Sequence, residues 1–328
     1  VVTRRATCTI LFLACTLVAC VALRMILGTD GVAWPADAEI RGLRLHRVGL
    51  ASVCGAALAV AGVVLQAFLR NPLASPDLTG VAAGSGLGVL VAAFLAYGLG
   101  EALSPAMFGP AALVGALATL FLVGAASRRS GRSDPVAMVL IGVSVGIMAA
   151  ALGLLVQQAM PPDPSRPVTR WLIGSLDEQM PGWVVVAGAC VVVLCTGAIA
   201  LAGPTLDAAS LSDEEAASVG VRVGVLRWSM FLIAGTLTSV AVVLGGPIGF
   251  VGLVCPHVVR TVAGPAHRSL VIGAALAGGV MLVGADVVVR VCQFDHGRLP
   301  IGVVTALIGA PVLIMMIRKG VGAWGAAP

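Results

Sequence analysis

The sequence predicts an all-α, polytopic membrane protein of about ten transmembrane helices, and three observations predict it. Of its 328 residues, 59% are hydrophobic and 11% charged, whereas a soluble domain carries about 25% charged residues. The apolar residues run in long blocks, at 10–23, 106–126 and 183–202 among others. A bilayer core about 30 Å thick takes roughly 20 such residues per helix. The blocks are continuously apolar with no period-two alternation, so they read as helices rather than barrel strands.

Spans are expected near 10–28, 49–69, 78–98, 107–127, 135–158, 183–203, 227–245, 249–263, 271–292 and 301–317. The first follows Arg4 and Arg5, and its run Leu17-Val18-Ala19-Cys20 resembles a lipoprotein cleavage site. More apolar chain comes after it, so the span reads as a membrane helix and not as a cleaved leader. An even number of spans places both termini on one side. Arg4, Arg5, Arg128, Arg129, Arg132, Arg318 and Lys319 make that side the cytoplasm. Residues 29–48 and 159–182 are then outer loops, and 204–226 is an inner loop. No linker or composition shift marks a second domain, so 1–328 reads as one permease domain.

The 42 glycines lie largely inside the apolar blocks, where small residues let membrane helices approach closely. Gly80, Gly84 and Gly88 recur every fourth residue, as do Gly142 and Gly146, and mark contact faces. The eight cysteines form no C-x-x-C pair and read as small hydrophobes. The four histidines show no metal-ligand spacing, so no metal, cofactor or catalytic residue is expected. The net charge of +5 is scattered between blocks and does not form a nucleic-acid stripe. A phosphate loop is absent from the sequence, so ATP is not bound in that way. The Gly142-Val143-Ser144-Val145-Gly146 match to a nucleophile elbow lies in an apolar span, without a strand or acid and base partners.

Arginines on the outer side run against the usual bias. Arg41, Arg44 and Arg47 share one expected loop, and Arg290 ends a helix. Two readings stand. They snorkel to headgroups, with Asp286 pairing Arg290 at i,i+4, or they form a cationic rim for an acidic partner. In the inner loop, 211–220 reads as a short helix capped by Ser212, with Glu215 three residues on and Gly220 at its end. Ala216 and Val219 share one face. A helix so short is marginal alone in water and should dock on something. Asn71-Pro72 is an ordinary helix-ending signal.

Several segments, in order, resemble one family. They are Arg44-Leu45-His46-Arg47, then Gly55-Ala56-Ala57-Leu58-Ala59-Val60-Ala61-Gly62, Arg70-Asn71-Pro72-Leu73-Ala74-Ser75-Pro76 and Trp171-Leu172-Ile173-Gly174-Ser175-Leu176. The run from Gly246-Pro247-Ile248-Gly249-Phe250 through Cys255-Pro256-His257 adds another, and Leu299-Pro300-Ile301-Gly302 onward to Gly309-Ala310-Pro311 closes the set. Together they resemble the FecCD-type permeases, the membrane subunits of bacterial ABC importers for iron-siderophores, haem and cobalamin.

The resemblance implies the type II ABC-importer permease fold, with this subunit paired to an identical or related second permease in the cell membrane. It implies two ATP-binding subunits beneath and an extracytoplasmic substrate-binding protein above. No nucleic acid is implied. It makes Arg44, Arg47 and Arg290 the docking arginines for glutamates of the binding protein. His46 departs from the usual Pro and is expected to loosen a turn there, and Arg298 departs from a frequent Glu. It makes Asn71 and Leu73 the cytoplasmic gate. It makes Leu211, Ser212, Asp213, Glu214, Glu215, Ala216, Val219 and Gly220 the coupling helix seated in the ATPase. The expected cargo is an iron(III)-siderophore, with haem or cobalamin as the alternative. An ion-coupled secondary transporter is the rival from another class; such carriers keep ionisable residues at midplane, and Asp286 is the one acid within the expected spans.

Overall fold

The computed structural model describes residues 4–28, 31–127, 135–209, 213–218, 220–294 and 297–324. Its helices in chain order are α1 (Arg4–Ile26), α2 (Ala38–Phe68), α3 (Val81–Gly98), α4 (Phe108–Ala126) and α5 (Pro135–Gln158). They continue as α6 (Pro162–Leu172), α7 (Gly182–Leu201), α8 (Gly203–Ala209), α9 (Asp213–Ser218) and α10 (Val223–Gly245). The last are α11 (Val251–Ala263), α12 (His267–Val291) and α13 (Ile301–Trp324). Among the described residues eight helices are long and apolar enough to cross a membrane, and two shorter apolar ones lie in α11 and α13, so the span expected at 249–263 is a short helix and not a full crossing.

α2 is the axis of the bundle. The apolar stretch of α2 is 78% buried against 6% for α1, so α1 runs along the outside. Small residues decide the packing. A Cβ on Gly55 would lie 2.1 Å from the Gly278 carbonyl oxygen of α12, so the two backbones touch there. Gly62 meets Gly252 of α11 as closely. The expected glycine faces are used in the same way: Gly84 and Gly88 of α3 meet Gly115 of α4, while Gly80 meets Gly142 and Gly146 of α5. Ser144 between them donates to the Leu140 carbonyl at 2.8 Å, an ordinary membrane-helix contact and no nucleophile. Phe121, Leu155, Val193 and Leu194 stand exposed on outward faces, as contact with lipid tails requires.

Three expectations are corrected. Residues 29–48 are not all loop: α2 begins at Ala38, where the Asp37 carboxylate accepts from Glu39 N at 2.9 Å as N-cap. Arg44, His46 and Arg47 therefore lie on helix, and His46 loosens no turn. The outer segment 159–182 contains α6, which starts at Pro162, where proline suits the first helical turn. The inner segment 204–226 holds two short helices, α8 and α9, in place of one.

α11 is broken from α10 inside the bundle. Its 13 residues span about 20 Å at 1.5 Å per residue, too short to cross. Irregular backbone at such depth is tolerated where protein satisfies it. Ser175 N donates to the Gly245 carbonyl at 2.9 Å, and Gly302 N approaches the Gly174 carbonyl at 3.4 Å. Three irregular segments thus support one another between α6, α10 and α13.

Candidate functional site

The end of the bundle that carries Arg24, Arg47 and Asp286 is the one expected to face outward, and is called the outer end. Asp286 of α12 is 1% exposed. One of its oxygens accepts from Arg24 Nε at 2.5 Å and the other from Arg47 Nε at 2.7 Å. Arg47 also reaches Glu178 at 2.7 Å through Nη1. One carboxylate therefore ties the outer ends of α1, α2 and α12, and Arg47 extends the network to the loop after α6. Buried charges are tolerated only when paired in this way.

This arrangement corrects the expected rim. Arg47 was expected open to a partner; it is buried, because two carboxylates of its own chain take its guanidinium. One of the two readings paired Asp286 with Arg290; its two oxygens hold Arg24 and Arg47. Arg44 is half-buried and donates to the Met25 carbonyl at the end of α1. Arg290 is half-exposed on the last turn of α12. Arg298 falls in a two-residue strand paired with Gln293 and Phe294 just beyond it.

Next to this network opens a cavity of about 560 Å³, lined by Arg47, Arg170, Trp171, Asp177, Glu178 and Pro300 among others. Trp171 packs edge-on to Phe108 with ring centroids 6.2 Å apart and forms an apolar wall. A second, more apolar groove of about 460 Å³ lies lower, between α3, α5 and Pro247. Asp77, in the turn before α3, is exposed into this groove. Desolvation by the surrounding bundle raises its carboxyl pKa. Asp77 sits one residue outside an expected span, which is how the sequence reading passed over it.

At the inner end Asn71 and Leu73 form a tight turn. Asn71 Oδ1 accepts from Leu73 N at 2.9 Å, and Ala74 N donates to the Asn71 carbonyl at 3.1 Å. Both gate candidates are exposed, Leu73 by 49%. Nearby, α9 ends as expected: Gly220 takes φ +87°, and Val221 N returns to the Ala216 carbonyl at 3.0 Å. Glu214 and Glu215 are exposed. Ala216 is not; it is 0% exposed because α9 packs on α8 and α10, so it serves this chain's core and not a partner groove. Leu211, Ser212 and Val219 lie outside the described residues.

Sequence reasoning missed Arg24, Glu178 and Arg70. Arg70 closes α2 and donates twice to the Ala209 carbonyl. Arg24 carried a usable signal, since a lone charge near the end of an apolar span requires a partner.

A helical bundle with an outer polar cavity, a broken helix at its centre and short exposed helices below is a membrane-embedded translocation subunit. The chain belongs to the FecCD transport family, whose model matches residues 7–319. It is 36% identical over 293 residues to the cobalamin import system permease BtuC of Halobacterium salinarum, covering 88% of this chain and 75% of that one. It is 38% identical over 283 residues to the vitamin B12 import permease of Vibrio vulnificus, covering 84% and 82%. The hemin transport permease HmuU of Yersinia pestis is 32% identical over 277 residues, with 84% and 82% covered. A solved inward-facing structure described as a metal-chelate type ABC transporter superposes with a TM-score of 0.83 at 29% identity, covering 94% of this chain and 98% of that chain.

Proposed function

We propose that this chain is the permease of an ATP-driven importer whose cargo is a macrocyclic metal chelate, cobalamin first and haem second. The observation that carries this is whole-length likeness to cobalamin and hemin permeases, at 32–38% identity. The siderophore expected from the sequence has no such support among these relatives. A paired permease, two ATPase subunits and an extracytoplasmic binding protein complete the machine, with both termini in the cytoplasm.

The binding protein docks on the outer end, where Arg44 and Arg290 offer positive charge. Arg47 joins only when an acidic group of the partner displaces Glu178, the more exposed of its two carboxylate partners. The turn of Asn71 and Leu73 closes the inner end of the path. The ATPase grips α9 through exposed Glu214 and Glu215. An ion-coupled carrier finds little support, because Asp286 is fully engaged by two arginines.

The test is uptake into proteoliposomes holding the permease with its ATPase and binding protein, with labelled vitamin B12, hemin and a ferric siderophore offered in turn. ATP-dependent uptake of vitamin B12 is expected. Uptake of the siderophore alone would return the cargo to the sequence expectation, and ATP-independent uptake driven by an ion gradient would overturn the importer.

A further inference from the structure

We propose that Arg70 is the positioning residue that carries movement of the inner coupling segment to the Asn71 and Leu73 turn. This rests on the importer reading above and adds the route by which ATPase movement reaches the gate.

α2 ends in a Schellman turn. Arg70 N returns to the Ala67 carbonyl at 3.3 Å, and Asn71 N to the Gln66 carbonyl at 3.1 Å. The position that closes such a turn is left-handed and normally glycine, because a Cβ is unfavourable there. Here it is Arg70, with φ +48°. A side chain kept in that conformation points to a use for it.

The use is visible. Nε and Nη2 of Arg70 both donate to the Ala209 carbonyl, at 3.1 and 2.9 Å. Ala209 ends α8, where carbonyls lack intrahelical partners and the helix dipole is negative, so a guanidinium fits. α8 packs on α9. On its other side α8 is held to the start of α12, where Asp207 Oδ1 accepts from His267 N at 3.0 Å and meets His267 Nδ1 at 2.6 Å.

A cavity of about 230 Å³, lined by Arg70, Leu206, Ala209, Leu226 and Met230 among others, surrounds the junction. Beside this cavity Arg70 reaches from the end of α2 to the last carbonyl of α8 as a polar strut. Beyond the strut the chain is stiff: the very next residue is Asn71, whose side chain and carbonyl lock the turn to Leu73 and Ala74. A push on α9 tilts α8, and Arg70 hands that displacement to the gate turn.

The experiment uses the complete complex in proteoliposomes, comparing the native chain with Arg70→Gly and Arg70→Lys. Glycine suits the left-handed position and removes the strut; lysine keeps the charge and loses the two-nitrogen grip. Gate access is read as the alkylation rate of Leu73→Cys by an impermeant thiol reagent, resolved by peptide mass spectrometry, with and without ATP. ATPase binding and ATP hydrolysis should persist in Arg70→Gly, while the ATP-dependent change at position 73 is lost and Arg70→Lys keeps part of it.

A full ATP response in Arg70→Gly overturns the strut alone. Loss of the ATPase from that variant also overturns it, by making Arg70 a scaffold of the inner loops. A native chain whose position 73 ignores ATP overturns the gate-and-coupling reading itself, and the strut with it.

Discussion

Asp286 holds Arg47 at 2.7 Å across the α2–α12 contact, and both side chains are inside the protein. The same carboxylate holds Arg24 of α1. The pairing lies about two helical turns from the point where Gly55 and Gly278 bring α2 and α12 into backbone contact. Apolar packing sets how close the helices come, and the ion network sets their register at the outer end. Arg47 is thus a structural residue before it is a surface one. Its Glu178 contact is the half that can open, because Glu178 keeps a third of its side chain exposed whereas Asp286 keeps 1%.

Replacing Asp286 with Asn should therefore be costly. It leaves Arg24 and Arg47 buried with one compensating charge removed, and breaking a buried pair in this way costs about 3–5 kcal/mol. Glu178→Gln breaks a half-exposed pair, worth about 1 kcal/mol or less. Thermal unfolding in detergent should show a large loss of stability for the first and a small one for the second. Equal losses would mean that the network does not set the register of the outer end.

The spans were legible because twenty-residue apolar blocks leave no other solution in a bilayer. The glycine faces were legible because every-fourth spacing stacks residues on one side of a helix. The outer network was not. Arg24 and Asp286 are 262 residues apart, Arg47 and Asp286 239, and no local pattern joins them. The extension of α2 over Arg41, Arg44 and Arg47 was hidden because hydropathy marks where a helix enters lipid and not where it ends. Gly220 could be foreseen as a helix stop because glycine advertises a left-handed residue. Arg70 does the same job at α2 without that signature.

Docking should depend on Arg44 and Arg290 more than on the fold. Charge reversal of both to Glu is expected to weaken binding-protein affinity by at least about tenfold at low salt, since reversal adds repulsion to lost attraction. The difference should shrink as salt rises, because exposed charges are screened. Stability of the permease, read by melting, should fall by about 1.5–3 kcal/mol, the loss of the Arg44 bond to the Met25 carbonyl. Affinity that does not move at low salt removes both residues from the docking surface.

On the inner side, Glu214→Lys with Glu215→Lys should release the ATPase from the purified complex, because both side chains are exposed on α9. Ala216→Arg should act differently. It forces a long charged side chain into a fully buried position against α8 and α10, and overpacking there costs about 1–3 kcal/mol before any charge is counted. Proteolysis of the 203–222 segment in the permease alone separates the two. It should accelerate for Ala216→Arg and not for the double Lys variant. Retained ATPase binding by the double variant would place the contact elsewhere.

Asn71→Ala tests the gate. The Asn71 side chain accepts from Leu73 N and holds the turn that carries Leu73, whose side chain is 49% exposed. Removing it deletes one hydrogen bond in an exposed turn, worth about 0.5–1.5 kcal/mol, so expression and melting should hold. The turn itself should loosen, and a Leu73 acting as the proposed gate would no longer hold one position. ATP hydrolysis should continue while cargo moved per ATP falls. Asn71→Asp keeps the acceptor oxygen, so it should restore the turn and most of the transport. If Asp fails where the turn is intact, the amide nitrogen is the group the gate uses. If Ala transports with normal coupling, the seal lies elsewhere in the path, and Asn71 is only the helix-ending residue that its Pro72 neighbour first made it resemble.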